Sequence, residues 1–147
     1  MQTTTFAQLN DGWNADPNSP SPLVEIADTT LRLSVFLTPY LFEAGDEEVA
    51  QLTFTGTRRW RLGPNNDEGW YRGQCRYTGK APAWGEFYEI GGDDPLGLMP
   101  TDWLRTIASD RDGRHFLFYL RDETFECYAD DWSFQRGLTR PITKADW

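Results

Sequence analysis

The sequence is short of the residue types on which most protein chemistry depends. Its 147 residues include one histidine, His115, and two cysteines, Cys75 and Cys127, far apart along the chain. Cysteines so separated, with one histidine between them, do not give the close ligand spacing of a zinc site. No serine stands in a Gly-x-Ser-x-Gly elbow. Gly91-Gly92 is not followed by the Lys-Ser/Thr pair that grips a phosphate. The stretches Asn14-Ala15-Asp16-Pro17-Asn18 and Asp110-Arg111-Asp112-Gly113 carry oxygen ligands, but neither has the glycine at the sixth position with the glutamate at the twelfth that a calcium loop requires. The expectation is no cofactor and no metal. Long apolar runs are missing too: nothing approaches the roughly 18 residues that a membrane helix needs. Met1 to Asn10 has neither a basic residue nor an apolar stretch, so it does not read as a secretory signal. The expected location is cytoplasmic, with both cysteines as reduced thiols filling small core sites.

Basic residues are also scarce. The chain has 14 Lys and Arg against 23 Asp and Glu, a formal net charge of −9. Such a field repels phosphate backbones and anionic lipid and attracts cationic partners. It excludes nucleic acid and membrane as expected partners and points to a basic protein; the same charge also keeps a small protein soluble.

What the chain does have is aromatic side chains: seven Trp, six Tyr and nine Phe. Each one buried removes roughly 150–250 Å² from water, so a few of them hold a core together. Many lie in runs that alternate with period two, the mark of a half-buried strand. In Thr30 to Leu37, Leu31, Leu33, Val35 and Leu37 face one way and Thr30, Arg32 and Ser34 the other. Leu52, Phe54, Trp60 and Leu62 share a parity from Ala50 to Leu62, with Gly56 marking a bulge or bend. Leu23 to Ile26, Trp70 to Tyr77 and Trp84 to Ile90 read as strands, and a hairpin of the last two sets Arg72 near Glu89. His115 to Leu120 and Thr124 to Ala129 form a hairpin around Arg121-Asp122-Glu123.

Other segments read differently. Thr3 to Trp13 reads as a short helix, with Phe6 and Leu9 on one face. Thr101 to Ser109 is either a helix capped by Thr101 or a strand. The prolines of Asp16 to Pro22 make a stiff connector. The chain is therefore expected to be a mainly β single domain spanning 1–147, with residues 1–22 as N-terminal segment and connector. Residues 130–147 are expected to form a closing tail pinned by Trp132 and Phe134. A curved antiparallel sheet must cover its own apolar face, which a barrel or a two-sheet sandwich does; the barrel-like form is preferred.

The search for chemistry gives few candidates. By parity His115 shares a side with Leu117 and Tyr119 and reads as structural. A Cys–His pair through Cys75 or Cys127 is conceivable, but both thiols fall within aromatic strand faces, where packing is the commoner role. Glu86 and Glu89 point to opposite faces of a regular strand. Glu86 with Trp84 and Tyr88, or Glu126 with Tyr128, are the better-placed carboxylates, although an inward glutamate is more often the partner of a buried arginine. Arginine alternates with aromatics at Arg58-Arg59-Trp60-Arg61, Trp70-Tyr71-Arg72 and Arg76-Tyr77. In a basic protein this would suggest stacking on a single strand of nucleic acid. In an acidic one it reads as Arg stems over rings, with their heads paired to carboxylates.

The sequence thus points to a non-enzymatic acidic binding protein of adaptor or immunity type, facing a basic protein partner. The alternative is a small-ligand or carbohydrate binder, with or without hydrolytic activity. Its pocket residues would be Trp84, Glu86, Tyr88, Tyr71 and Arg76. Oligomeric state is not legible.

Overall fold

The structure is a computed structural model and describes residues 4–16, 20–37, 48–63, 81–82, 85–92, 103–106, 113–120 and 123–138. Among these residues all regular structure is β: β1 (Thr5–Gln8), β2 (Leu23–Ala27), β3 (Thr30–Phe36), β4 (Val49–Thr55), β5 (Arg59–Gly63), β6 (Phe87–Gly91), β7 (Leu104–Arg105), β8 (Arg114–Tyr119), β9 (Thr124–Ala129) and β10 (Asp131–Leu138). The strands form two antiparallel sheets. One has the order β1-β6-β8-β9-β5-β7 and the other β10-β4-β3-β2. Neither closes on itself, so between the two expected forms the architecture is a sandwich and not a barrel.

A single bent ribbon joins the sheets. β4 pairs with β10 in the smaller sheet, and their continuations β5 and β9 pair in the larger one. Thr55 lies opposite Asp131 and Arg59 opposite Tyr128, so the β4–β5 side carries one residue more across the bend. Gly56, the interruption seen in the sequence, supplies it at φ +63°, a left-handed backbone that glycine adopts without steric cost. The corner is then tied. Arg58 Nη2 reaches Asp130 Oδ1 at 2.6 Å, and the Asp130 N–H donates to the Thr55 carbonyl. The buried Thr57 hydroxyl donates to the Phe54 carbonyl.

The core lies between the sheets. The alternation of β3 delivers Leu31, Leu33, Val35 and Leu37 to it, all buried, and β4 adds Leu52 and Phe54. The larger sheet answers with Phe87, Phe116, Phe118, Phe125 and Cys127. Phe54 sits at the centre, with ring centroids 6.1, 5.2 and 5.5 Å from Phe87, Phe116 and Phe125.

Two expectations are corrected. The segment around Phe6 is strand β1, not a helix, because its backbone pairs with β6 from Thr5 opposite Gly91 to Gln8 opposite Tyr88. Phe6 packs against the cluster of Tyr88 and Tyr119, whereas Leu9 packs against the inter-sheet core, which one helix face does not do. The expected closing tail begins instead with the eight-residue strand β10. Trp132 and Phe134 do anchor it, against Phe87 and Trp13 respectively. Of Thr101 to Ser109, the described part contains the two-residue strand Leu104–Arg105. The expected strand over Trp70 to Tyr77, and with it Arg72, lies outside the described residues; Glu89 is held by Arg114 at 2.7 Å.

Candidate functional site

The face of the larger sheet that looks away from the core carries the densest chemistry. On it, one cross-strand row runs Ile90, His115, Tyr128, Arg59 and the next Tyr88, Leu117, Glu126, Arg61. The register of the β8–β9 hairpin sets this arrangement, since Tyr128 stands opposite His115 and Glu126 opposite Leu117. His115 Nε2 is 2.8 Å from Glu126 Oε2, and Arg61 Nη1 is 3.7 Å from Glu126 Oε1. The His115 ring stacks on Tyr128, with centroids 4.2 Å apart and planes 14° from parallel. The Arg59 guanidinium lies 4.1 Å from the centre of Tyr128 and 4.9 Å from that of Trp103. All of these groups except Trp103 are buried, and the Glu126 side chain is fully so.

A buried carboxylate between an arginine and a histidine is a compensated charge. Removing it from water costs several kcal/mol, which the Arg61 guanidinium and the His115 hydrogen bond offset. A glutamate beside a histidine can also orient a general base. Here, however, the histidine ring is covered by Tyr128 and the side chain is 6% exposed. Cys127, the described partner for a Cys–His pair, points into the core from the opposite face of the same strand as Glu126 and Tyr128. Burial, and then the neighbouring Glu126 charge, push its thiol well above the ordinary range. Such a thiol packs and does not attack.

The expected pocket residues fare unevenly. Trp84, Tyr71 and Arg76 lie outside the described residues. Tyr88 is 1% exposed and packs edge-on against Phe6 and Tyr119. Glu86 is half-buried, and its carboxylate accepts hydrogen bonds from Gln8 Nε2 at 3.1 Å and from Asn10 Nδ2. It holds the chain after β1 against β6, where the Asn10 side-chain oxygen also accepts the Phe87 N–H. Among the described residues no group of three or more His, Cys, Asp or Glu is placed to hold a metal ion.

The arginines have a common fate. Arg58 pairs with Asp130, Arg61 with Glu126, Arg114 with Glu89 and Asp131, and Arg136 with Glu48. Arg59 lies over the rings of Tyr128 and Trp103. The carboxylates raise the Arg114 and Arg136 guanidinium pKa values further. The reading of Arg58-Arg59-Trp60-Arg61 as internal packing and pairing is what the geometry contains. The sequence did not reveal that His115 joins the same cluster. The hairpin gave only part of the signal, because the tip expected at Arg121-Asp122-Glu123 sets His115 across from Ala129, one residue from its observed partner Tyr128.

Outside that cluster, Asp11, Glu25, Asp28, Asp130 and Asp131 are exposed, while of the described arginines only Arg32, Arg105 and Arg136 are. No known protein-family pattern, curated protein sequence or solved structure matches the chain.

Proposed function

We propose that this domain is a non-enzymatic binding protein that presents an acidic surface to a basic protein partner. The observation that supports it is the internal use of the arginines. Arg59 and Arg61 are buried, and Arg58, Arg114 and Arg136 are engaged by carboxylates. The cations available to a visitor are thereby reduced, although each pair also engages a carboxylate, and the net charge of −9 supplies the attraction to a basic partner. The buried His115–Glu126–Arg61 group serves the fold in this reading. The net charge works against nucleic acid too, and Arg59 and Arg61 are buried away from a phosphate backbone.

The alternative of an aromatic-lined ligand pocket has less support from its described members. Tyr88 is sealed, and the Glu86 carboxylate is occupied by Asn10 and Gln8. The test is capture on immobilised protein, followed by reconstitution with each purified candidate. A specific partner of net positive charge is expected, whose binding is weakened by the double variant Glu25→Lys/Asp28→Lys. A specific partner that is itself acidic, or a sugar that raises the melting temperature with no protein bound, contradicts the reading.

A further inference from the structure

Among the described residues two large apolar side chains are exposed, Ile26 at 42% and Leu104 at 53%. Both belong to faces that should be covered. Ile26 lies opposite the fully buried Leu31 on β3, and Leu104 lies opposite Trp60, which packs on the core. Each therefore sits on the inward face of its sheet. Each also sits on an edge strand, β2 of the smaller sheet and β7 of the larger. The bent ribbon places these edges on one side of the molecule, because β7 flanks β5 and β3 then β2 flank β4. Backbone hydrogen bonds at the corner confirm that placement: Thr57 N–H donates to the Thr29 carbonyl in the β2–β3 turn, and Thr106 N–H donates to the Arg58 carbonyl. Among the described residues the sandwich is open along this side, with an apolar lip on each sheet.

We propose that this opening is a strand-addition site, and that β2 accepts an extended segment of the basic partner. The proposal rests on the function argued above. A strand at a sheet edge leaves backbone groups for an incoming chain, and alternate side chains of that chain point in and out. The inward set would meet Ile26, Leu104 and the half-buried Val24, so it is apolar. The outward set would meet the row of Leu23, Glu25 and Ala27, and Asp28 lies in the adjoining turn. Leu23 to Asp28 carries two carboxylates and no basic residue, and the exposed Arg32 opposite Glu25 lies on the side of β2 away from an incoming strand, so the outward set is Lys or Arg. A second copy of this chain is the disfavoured occupant. It brings −9 against −9, and antiparallel pairing of two β2 strands sets Glu25 near its own copy.

Backbone amide NMR of the full chain, titrated with a synthetic peptide alternating Val and Lys over about eight residues, tests this. Shifts are expected at residues 23–27 and 104–105. A peptide N-methylated at alternate residues should lose binding, and Glu25→Lys should weaken the parent peptide at least about tenfold. Shifts confined to other strands, or an N-methylated peptide that binds as well, overturn the site. If a purified basic protein binds while the β2 amides stay unmoved, the strand-addition site falls and the acidic-surface reading stands. If neither peptide nor basic protein binds, both fall.

Discussion

Phe87 touches both walls of the core, reaching Phe54 from the smaller sheet, Phe116 and Phe118 within its own, and Trp132 on β10. Phe87→Ala is expected to cost about 3–5 kcal/mol, read from urea unfolding, because the surrounding rings cannot collapse into the space. A loss below ~1 kcal/mol would mean that the aromatic cluster is not the core. Glu126 is held differently. Glu126→Leu removes the buried carboxylate that Arg61 and His115 share and should destabilise by about 3–5 kcal/mol. Arg61→Met in the same molecule should restore part of this, since it removes the guanidinium left facing an apolar side chain; equal unfolding midpoints for the single and double variants would contradict the pairing. Cys127 makes a pH prediction. Burial keeps its thiol protonated in the folded chain, whereas an unfolded thiol ionises above about pH 8.5. The unfolded state then releases the proton first, so stability falls as pH rises past that value. Cys127→Ala should lower stability at pH 7 but flatten its decline toward higher pH. Parallel unfolding curves for the two proteins would show that the thiol is not sealed.

At the scale of elements the corner of the ribbon is the sensitive joint. Gly56→Ala puts a side chain on a left-handed backbone and against the Asp130 carboxylate, which Arg58 holds in place. It should destabilise by more than ~1 kcal/mol, and removing the carboxylate with Asp130→Ala should relieve only the collision, not the backbone strain. Gly113 is tight for another reason, since a Cβ there meets the Ala129 backbone carbonyl directly. Much of this scale was legible in the sequence. The alternation of Leu31 to Leu37, the break at Gly56 and the hairpin of β8 and β9 all survive in the structure, because each is a local pattern with a two-residue period. What misled was pairing between distant segments. Phe6 and Leu9 sit three apart, a helical interval, yet β6 recruits their backbone into a sheet from some eighty residues away. Trp132 and Phe134 announced an anchor, but not that the anchor is a strand on β4. The buried ion cluster was half legible: Glu126 reads as an inward carboxylate and Arg61 as an arginine paired to a carboxylate, while their meeting with His115 depends on a hairpin register.

At the scale of the whole molecule, sign and placement of charge carry the account. Arg59 is buried over Tyr128 and Trp103 and Arg61 is buried against Glu126, so neither guanidinium meets a visitor, and the proposed function rests on the net charge of −9. An acidic exterior speaks mainly through encounter rates, because long-range attraction steers a cationic partner before any contact forms. The most direct measurement is the association rate constant with the purified partner, followed by stopped flow as salt is raised from low to physiological strength. The account predicts a fall of about tenfold or more, with a dissociation rate that changes little and an effect diminished by Glu25→Lys/Asp28→Lys. An association rate indifferent to salt, or one that rises with it, would contradict it.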